Sequence, residues 1–448
     1  MASKHASQNG INGVSPKKQK IENSNSMNKF IFAGQDYSKQ FYNLYSFRLA
    51  EMTNLLKKKV EKSWGKDVPI KKLCDLREEE QSKCIIIGTL FKHQQLKPSI
   101  LREISEENQL APQPPRTYYV SENDKLILED ELQRIRLIGK VDVHTLVTGV
   151  VCAVKGYVEC DGKFEVEDMI FYESGPQKSL KILDESPLLV LISGFDQSTA
   201  SLREESLDVL QKWLGGKIHD FKKTVKYESS KIIRVIFAGN SIRASAEVKV
   251  KAIPSKKVEL SSTIEDVKNF DKWISECVTK TPVDLMPGEH DPANFMLPQQ
   301  PFHKCMFPLS SKSQDFKSTT NPYELELYGR IILGTSGQNI DDITRTSKIE
   351  DNLEAASNII KWGHIAPTSP DTLACYPYTN KDPFIIQECP HIFFVGNMNK
   401  FQTTVREGED STKTRVICVP SFTKTQSVVV VNLRTLDCEE ISFNVTAE

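Results

Sequence analysis

The chain has 448 residues, 39% hydrophobic and 26% charged, with a formal net charge of −1. That length accommodates two or three domains with cores of their own, and the near-zero charge excludes an autonomous nucleic-acid binder acting through a basic field. No apolar run reaches the ~18 residues of a membrane span, and the N-terminus lacks the apolar core of a signal peptide. No membrane partner is therefore expected, and the cytosol or nucleus is the expected compartment. The 10 cysteines show no CxxC or Cys-His metal spacing and are expected to be mostly reduced and buried.

Residues 1–36 are expected to form a disordered tail, because Ser, Asn, Gly and Lys offer little to bury. Within it, Ser15 to Lys20 presents Lys17, Lys18 and Lys20 either as a nuclear-import signal or as a solvated basic stretch. From Tyr37 to Trp64, Phe41, Leu44, Tyr45, Leu49, Met52, Leu55, Leu56 and Val60 fall at helical spacing. Short β-rich runs follow: "CIIIGTLF", "RTYYV", "KLILED", "QRIRLIGK", "LVTGVVCAVKGYVE" and "KFEVEDMIFYE". Residues 37–178 are therefore assigned to a helix and a small β-barrel of the OB type. Few aromatics alternate with basic side chains, so the barrel is expected to dock proteins rather than stack single strands.

Residues 179–448 alternate strand and helix, which predicts an α/β core with mixed sheets. "LLVLIS", "KIIRVIFAG" and "PVDLMPG" read as buried strands, "ASLREESLDVLQKWLGG" and "TIEDVKNFDKWISECV" as helices between them. "YELELYGRIILGTSG", "HIFFVGN", "TRVICVPSF" and "QSVVVVNLRTL" continue as strands, with one helix around Ile349 to Trp362. Five strands are expected to end in a glycine beside a small polar residue: Ser193-Gly194, Gly239-Asn240, Gly288-Glu289, Gly334-Thr335 and Gly396-Asn397. Ligands bind at such strand ends, where glycine lets the backbone turn and approach closely. Asp291-Pro292 is suited to begin a helix, Asp as N-cap and Pro at the first helical position.

These loops resemble those of the calcineurin-like metallophosphoesterases, which read roughly DxH, GDxxD, GNH(D/E) and GHxH and hold two metals. The resemblance implies that Gly194 stands in the place of the first Asp, with Asp196 near that of its His. Asn240 takes the place of the bridging Asp and Arg243 that of the later Asp. Glu289 replaces the ligand Asn while His290 and Asp291 remain, and Asn397 and Asn399 replace two histidines. A neutral amide is a poor substitute for a bridging carboxylate, and without metals no water is activated. The site is expected to be catalytically inactive and to take no cofactor.

Longer strings, "VDLMPGEHDPANFMLPQQPFHKCMFP", "LGTSGQNIDDI", "TSPDTLACYP", "ECPHIFFVGN", "VVVNLRTLDCEEISF" and "IIGTLFKHQQLKPSIL", resemble the small regulatory subunits of replicative DNA polymerase delta. That resemblance runs from about Tyr37 to Phe443. It implies an OB domain joined to an inactivated phosphoesterase domain in a nuclear holoenzyme. The implied partners are the catalytic subunit's C-terminal cysteine-rich module, a further accessory subunit, indirectly a sliding clamp, and DNA within the holoenzyme. Two other readings stay open: a one-metal phosphodiesterase or nuclease using Asp196, Glu289, His290 and Asp291, and a barrel that binds single-stranded DNA. Cys389-Pro390-His391 reads as structural rather than metal-binding, "GTSGQN" lacks the Lys of a phosphate loop, His303 and Cys305 are expected to pack, and His364 is expected in the core.

Overall fold

The computed structural model describes residues 29–77, 82–97, 116–217, 227–243 and 256–444, residues 33 and 35 apart. The first helix, α1, spans Tyr42–Trp64 and buries Leu44, Arg48, Met52, Leu56 and Val60, a strict four-residue stripe. It starts later than the apolar pattern suggested, and Phe41 and Tyr42 are exposed. An arginine occupies the second place in the stripe, which a search for apolar periodicity passes over.

Strands β1 (Cys84–His93), β2 (Lys125–Glu129), β3 (Arg134–Gly139), β4 (Val151–Val158) and β5 (Phe164–Ile170) close a barrel in the order β1-β2-β3-β5-β4. Alternation turns Ile86, Leu90, Leu126, Leu128, Leu137, Val154, Phe164 and Val166 into its core. The opposite faces of β1 and β4 meet α1, Val60 resting on Ile85 and Ala153. "RTYYV" is not a strand. The Tyr119 N–H donates instead to the carbonyl of Arg345, so this stretch finds its backbone partner on a helix end.

The rest of the chain builds two stacked sheets flanked by helices. One contains β6 (Leu188–Ile192), β7 (Ile232–Ala238), β8 (Val283–Met286), β9 (Phe316–Ser318), β15 (Ser427–Asn432) and β16 (Cys438–Ser442), in the order β16-β15-β6-β7-β8-β9. The other contains β10 (Tyr323–Leu327), β11 (Arg330–Thr335), β12 (Ile392–Met398), β13 (Gln402–Glu407) and β14 (Lys413–Pro420), in the order β10-β11-β12-β14-β13. Leu191, Ile236 and Val429 of the first meet Ile332, Phe394 and Ile417 of the second. Helices α2 (Glu204–Leu214) and α3 (Lys256–Val278) cover the outer face of the first sheet. Helices α4 (Gln338–Thr346) and α5 (Asn352–Trp362) cover the second. The parallel strands point their carboxyl ends the same way, which gathers their loops at one end of the sandwich.

Several expectations are corrected. Two helices, not one, lie between β11 and β12, because α4 offers only Ile340 and Ile343 as an apolar signal. Residues 29–32 do not belong to a disordered tail: Phe30 is fully buried and Gln300 holds both the Phe32 N–H and the Phe30 carbonyl. Lys17, Lys18 and Lys20 lie outside the described residues. His303 and Cys305 are exposed rather than packed, since the short turn at Lys304–Met306 turns them outward while Phe302 and Phe307 fill the core.

Arg48 is buried where α1, the barrel and the sandwich meet. Its Nε donates to Asp382 Oδ2 at 2.7 Å, while its other nitrogens donate to the carbonyls of Pro367, Ser369 and Gly149. His364 lies 2.9 Å from the same carboxylate oxygen. Its Nδ1 accepts from the Ala366 N–H, so Nε2 carries the proton and donates to Asp382. Burial, reinforced by the charge of Arg48, pushes His364 down to about 4 against the pull of Asp382. Burial works to raise Asp382, but Arg48 and His364 outweigh it and hold the carboxyl below its usual range.

Because the folded-state pKa of His364 lies below that of a free histidine, the unfolded chain takes up the proton first. Stability is full above about pH 6.5 and is lost as pH falls toward about 4, with a contribution on the order of 3 kcal/mol. Chemical denaturation across that window should show the loss, and His364→Gln should flatten it. An unchanged slope in the variant would contradict the assignment.

Candidate functional site

The loops after β6, β7, β8, β11, β12 and β14 converge where the sheets end. The β6 and β7 loops run on together beyond their strands: the N–H groups of Gly194, Asp196, Gln197 and Ser198 donate to the carbonyls of Gly239, Asn240, Ser241 and Ile242. The approach is so close that only glycine fits at two points. A Cβ on Gly288 would lie 2.3 Å from the Asn240 nitrogen, and one on Gly396 would lie 2.4 Å from the Ala238 oxygen.

Polar side chains seal this end. Asn397 takes a left-handed backbone conformation and drives its amide between the sheets, where Nδ2 donates to Ser336 O at 2.7 Å and Ala238 O at 3.2 Å. Its N–H donates to Ser193 Oγ. Asn240, also left-handed, accepts the His290 N–H on Oδ1. A buried net of Gln299, Asn321 and Ser336 ties the Gly288 carbonyl to the β11 loop. Asp196 is buried, but its carboxylate accepts the hydroxyls of Ser198 and Thr199 in its own turn. Gly194 sits against Ser421 Oγ and Asn397 Oδ1. The structure thus brings Gly194, Gly239, Asn240, Gly288, Gly396 and Asn397 together.

Asp291 does not cap a helix. The chain after Pro292 is irregular, and the buried carboxylate instead accepts the N–H groups of Gly288 (2.9 Å), Ile242 (2.9 Å) and Ser241 (3.2 Å). It is the clamp between the β7 and β8 loops, and three amides hold it better than a helix start would. Burial pushes its carboxyl up, with these donors acting in the opposite direction. Glu289 and His290 stand on the exposed side of the same turn, 3.9 Å apart. Asn399 lies at the rim, where Lys424 Nζ donates to its Oδ1 at 2.6 Å. Arg243 is half-buried.

Two anticipated turns sit differently. Gly334 is within β11, where the Phe394 ring crosses it, and the turn comes at Ser336-Gly337. Gly396 belongs to β12, beside an irregularity between Val395 and Met398 that tilts Asn397 inward. The sequence reading named Ser193 beside Gly194 but missed Ser336, Ser421, Gln299 and Asn321. A small hydroxyl residue directly after a buried strand was the available signal for Ser336 and Ser421; Gln299 and Asn321 carried none. Among the described residues, no three His, Cys, Asp or Glu side chains are grouped to share a metal ion. His391 uses both ring nitrogens structurally: Nδ1 accepts from the Ile331 N–H and Nε2 donates to the Lys178 carbonyl.

Residues 189–403 match the DNA polymerase alpha/epsilon B-subunit family, and residues 40–169 match the family of the DNA polymerase delta subunit OB-fold domain. The chain is 52% identical to DNA polymerase delta subunit 2 of Drosophila melanogaster, over 96% of this chain and 98% of that protein. Identity to the DNA polymerase delta small subunit of Oryza sativa subsp. japonica is 39%, over 95% and 98% of the two chains. To the DNA polymerase delta small subunit of Saccharomyces cerevisiae it is 29%, over 93% and 92%.

If Asp291 is the clamp, Asp291→Ala strands three buried N–H groups and costs roughly 3 kcal/mol in urea denaturation. Glu289→Gln and His290→Ala, on the open side of the turn, should each stay within about 0.5 kcal/mol of the parent. Equal losses in all three would refute this division of roles.

Proposed function

The chain belongs to the family of DNA polymerase delta small subunits, and we propose that it acts there purely as a scaffold whose own loop-end site does no chemistry. As an accessory subunit of the polymerase it serves DNA replication. On this reading the paired sheets descend from a calcineurin-like phosphoesterase sandwich, with residues 37–178 as the helix-plus-barrel unit and 179–448 as the inactive unit. Gly194, Asp196, Asn240, Glu289, His290, Asp291, Asn397 and Asn399 then stand at former site positions.

The carrying observation is Asn397. Its amide fills the gap between the sheets with donors spent on Ser336 O and Ala238 O, while Asn240 gives its oxygen to the His290 N–H. A metal centre needs anionic or imidazole groups with lone pairs turned toward a shared point. Here amides face backbone, and Asp291 faces backbone too.

The scaffold joins the catalytic subunit, through that subunit's C-terminal cysteine-rich module, to a further accessory subunit. It meets the sliding clamp and DNA only within the assembled nuclear enzyme. Two measurements test this. The chain co-expressed with the catalytic subunit should co-purify at 1:1 stoichiometry, on the order expected for an obligate assembly. The purified chain with Mn²⁺ should hydrolyse an aryl phosphodiester no faster than its His290→Ala variant. Turnover lost in that variant would restore the hydrolase reading, and absence of co-purification would remove the scaffold.

A further inference from the structure

The barrel looks separable in sequence, yet its contacts with the sandwich are of the kind found inside a domain. Its interior residues Leu90, Leu128 and Val154 belong to one uninterrupted apolar cluster with Ile340 and Ile343 of α4, Ile359 and Trp362 of α5 and Phe393 of β12. Where the two parts touch, main chain meets main chain. A Cβ on Gly149, which has φ +89°, would lie 1.9 Å from the Pro367 oxygen. Such an approach leaves no room for a water layer or a sliding surface.

Polar groups are exchanged across the same seam. The C-terminal end of α4 leaves carbonyls without helical partners, and the barrel supplies their donors: buried Lys92 Nζ to Thr346 O at 3.0 Å, and the Tyr119 N–H to Arg345 O at 3.0 Å. The Lys348 N–H in return donates to the His144 carbonyl. The segment after β5 repeats the pattern, with Glu173 N–H and Ser174 Oγ donating to the carbonyls of Lys361 and Ile360 at the end of α5. Arg48 closes the set. It rides on α1, whose other contacts are mainly with the barrel, yet its carboxylate partner Asp382 and two of its three carbonyl partners lie in the sandwich.

We propose that the barrel and the sandwich are one cooperatively folding body, latched by the buried Arg48–Asp382 pair, with no hinge between them. Opening the barrel alone would strand the Arg48 and Lys92 charges and the carbonyls of α4 and α5 away from their partners. Each stranded group carries a desolvation cost, so local opening is no easier than opening everything. A rigid seam fixes the distance between whatever binds at the barrel end and whatever binds at the sandwich end. This inference concerns the chain by itself and stands whichever partners it has.

Hydrogen exchange of the full-length chain in low denaturant, read by mass spectrometry, tests the proposal. The most protected amides of β1 and β4 should exchange through the same opening as those of β6 and β7, with one denaturant dependence. Arg48→Met should speed both groups by the same factor, on the order of a hundredfold or more. Should that variant fail to fold, Val154→Ala keeps the test alive: a cavity in the barrel core should accelerate β6 and β7 amides as much as barrel amides, by about tenfold. Barrel amides that open with a shallower denaturant slope, or that alone respond to Val154→Ala, would overturn the proposal.

Discussion

The loop end of the sandwich is governed by backbone closeness. Gly288 against Asn240, and Gly396 against Ala238, bring main chain onto main chain with no space for a side-chain layer. Buried N–H and carbonyl groups so arranged must be satisfied locally, because water cannot reach them. Asn397, Asn240 and Asp291 do this. Each is polar, each is turned toward backbone, and together they bind the ends of β7, β8, β11 and β12, four strands from two sheets.

This explains why amides suit these positions. Carboxylates and imidazoles crowded at such a closed end would repel one another or need cations between them. An amide brings two donors and an acceptor without charge, so Asn397 can face two carbonyls at once. Asp291 is the exception and shows the rule, since it is a carboxylate surrounded only by donors. Glu289 is exposed and His290 partly exposed, so neither is needed to satisfy the closed backbone. The Glu289-His290-Asp291 turn thus divides in two: one residue that clamps and two that do not.

How much of this was readable beforehand follows from what each feature leaves in a sequence. Strands buried on both faces, such as Leu188–Ile192 and Ser427–Asn432, announce themselves as runs of Val, Leu and Ile. Helix α4 does not, because two isoleucines among polar residues suffice when a neighbouring sheet supplies the rest of the core. Asp291-Pro292 reads locally as a helix start, but three amides brought in by tertiary folding claim the carboxylate first. Arg48 was invisible for a related reason: its partners are separated from it by 101 to 334 residues, and nothing near it in the chain marks it as buried. Local propensity gives way where long-range polar partners exist.

The seam and the closed loop end suit a protein whose task is to hold others in place. The most direct test of that account is a Mn²⁺ titration of the purified full-length chain, with free metal followed by paramagnetic resonance. The account predicts no stoichiometric site, the free-metal signal rising in proportion to metal added. One or two tightly held Mn²⁺ per chain, released by His290→Ala, would show that the loop end still assembles a metal centre and would contradict it.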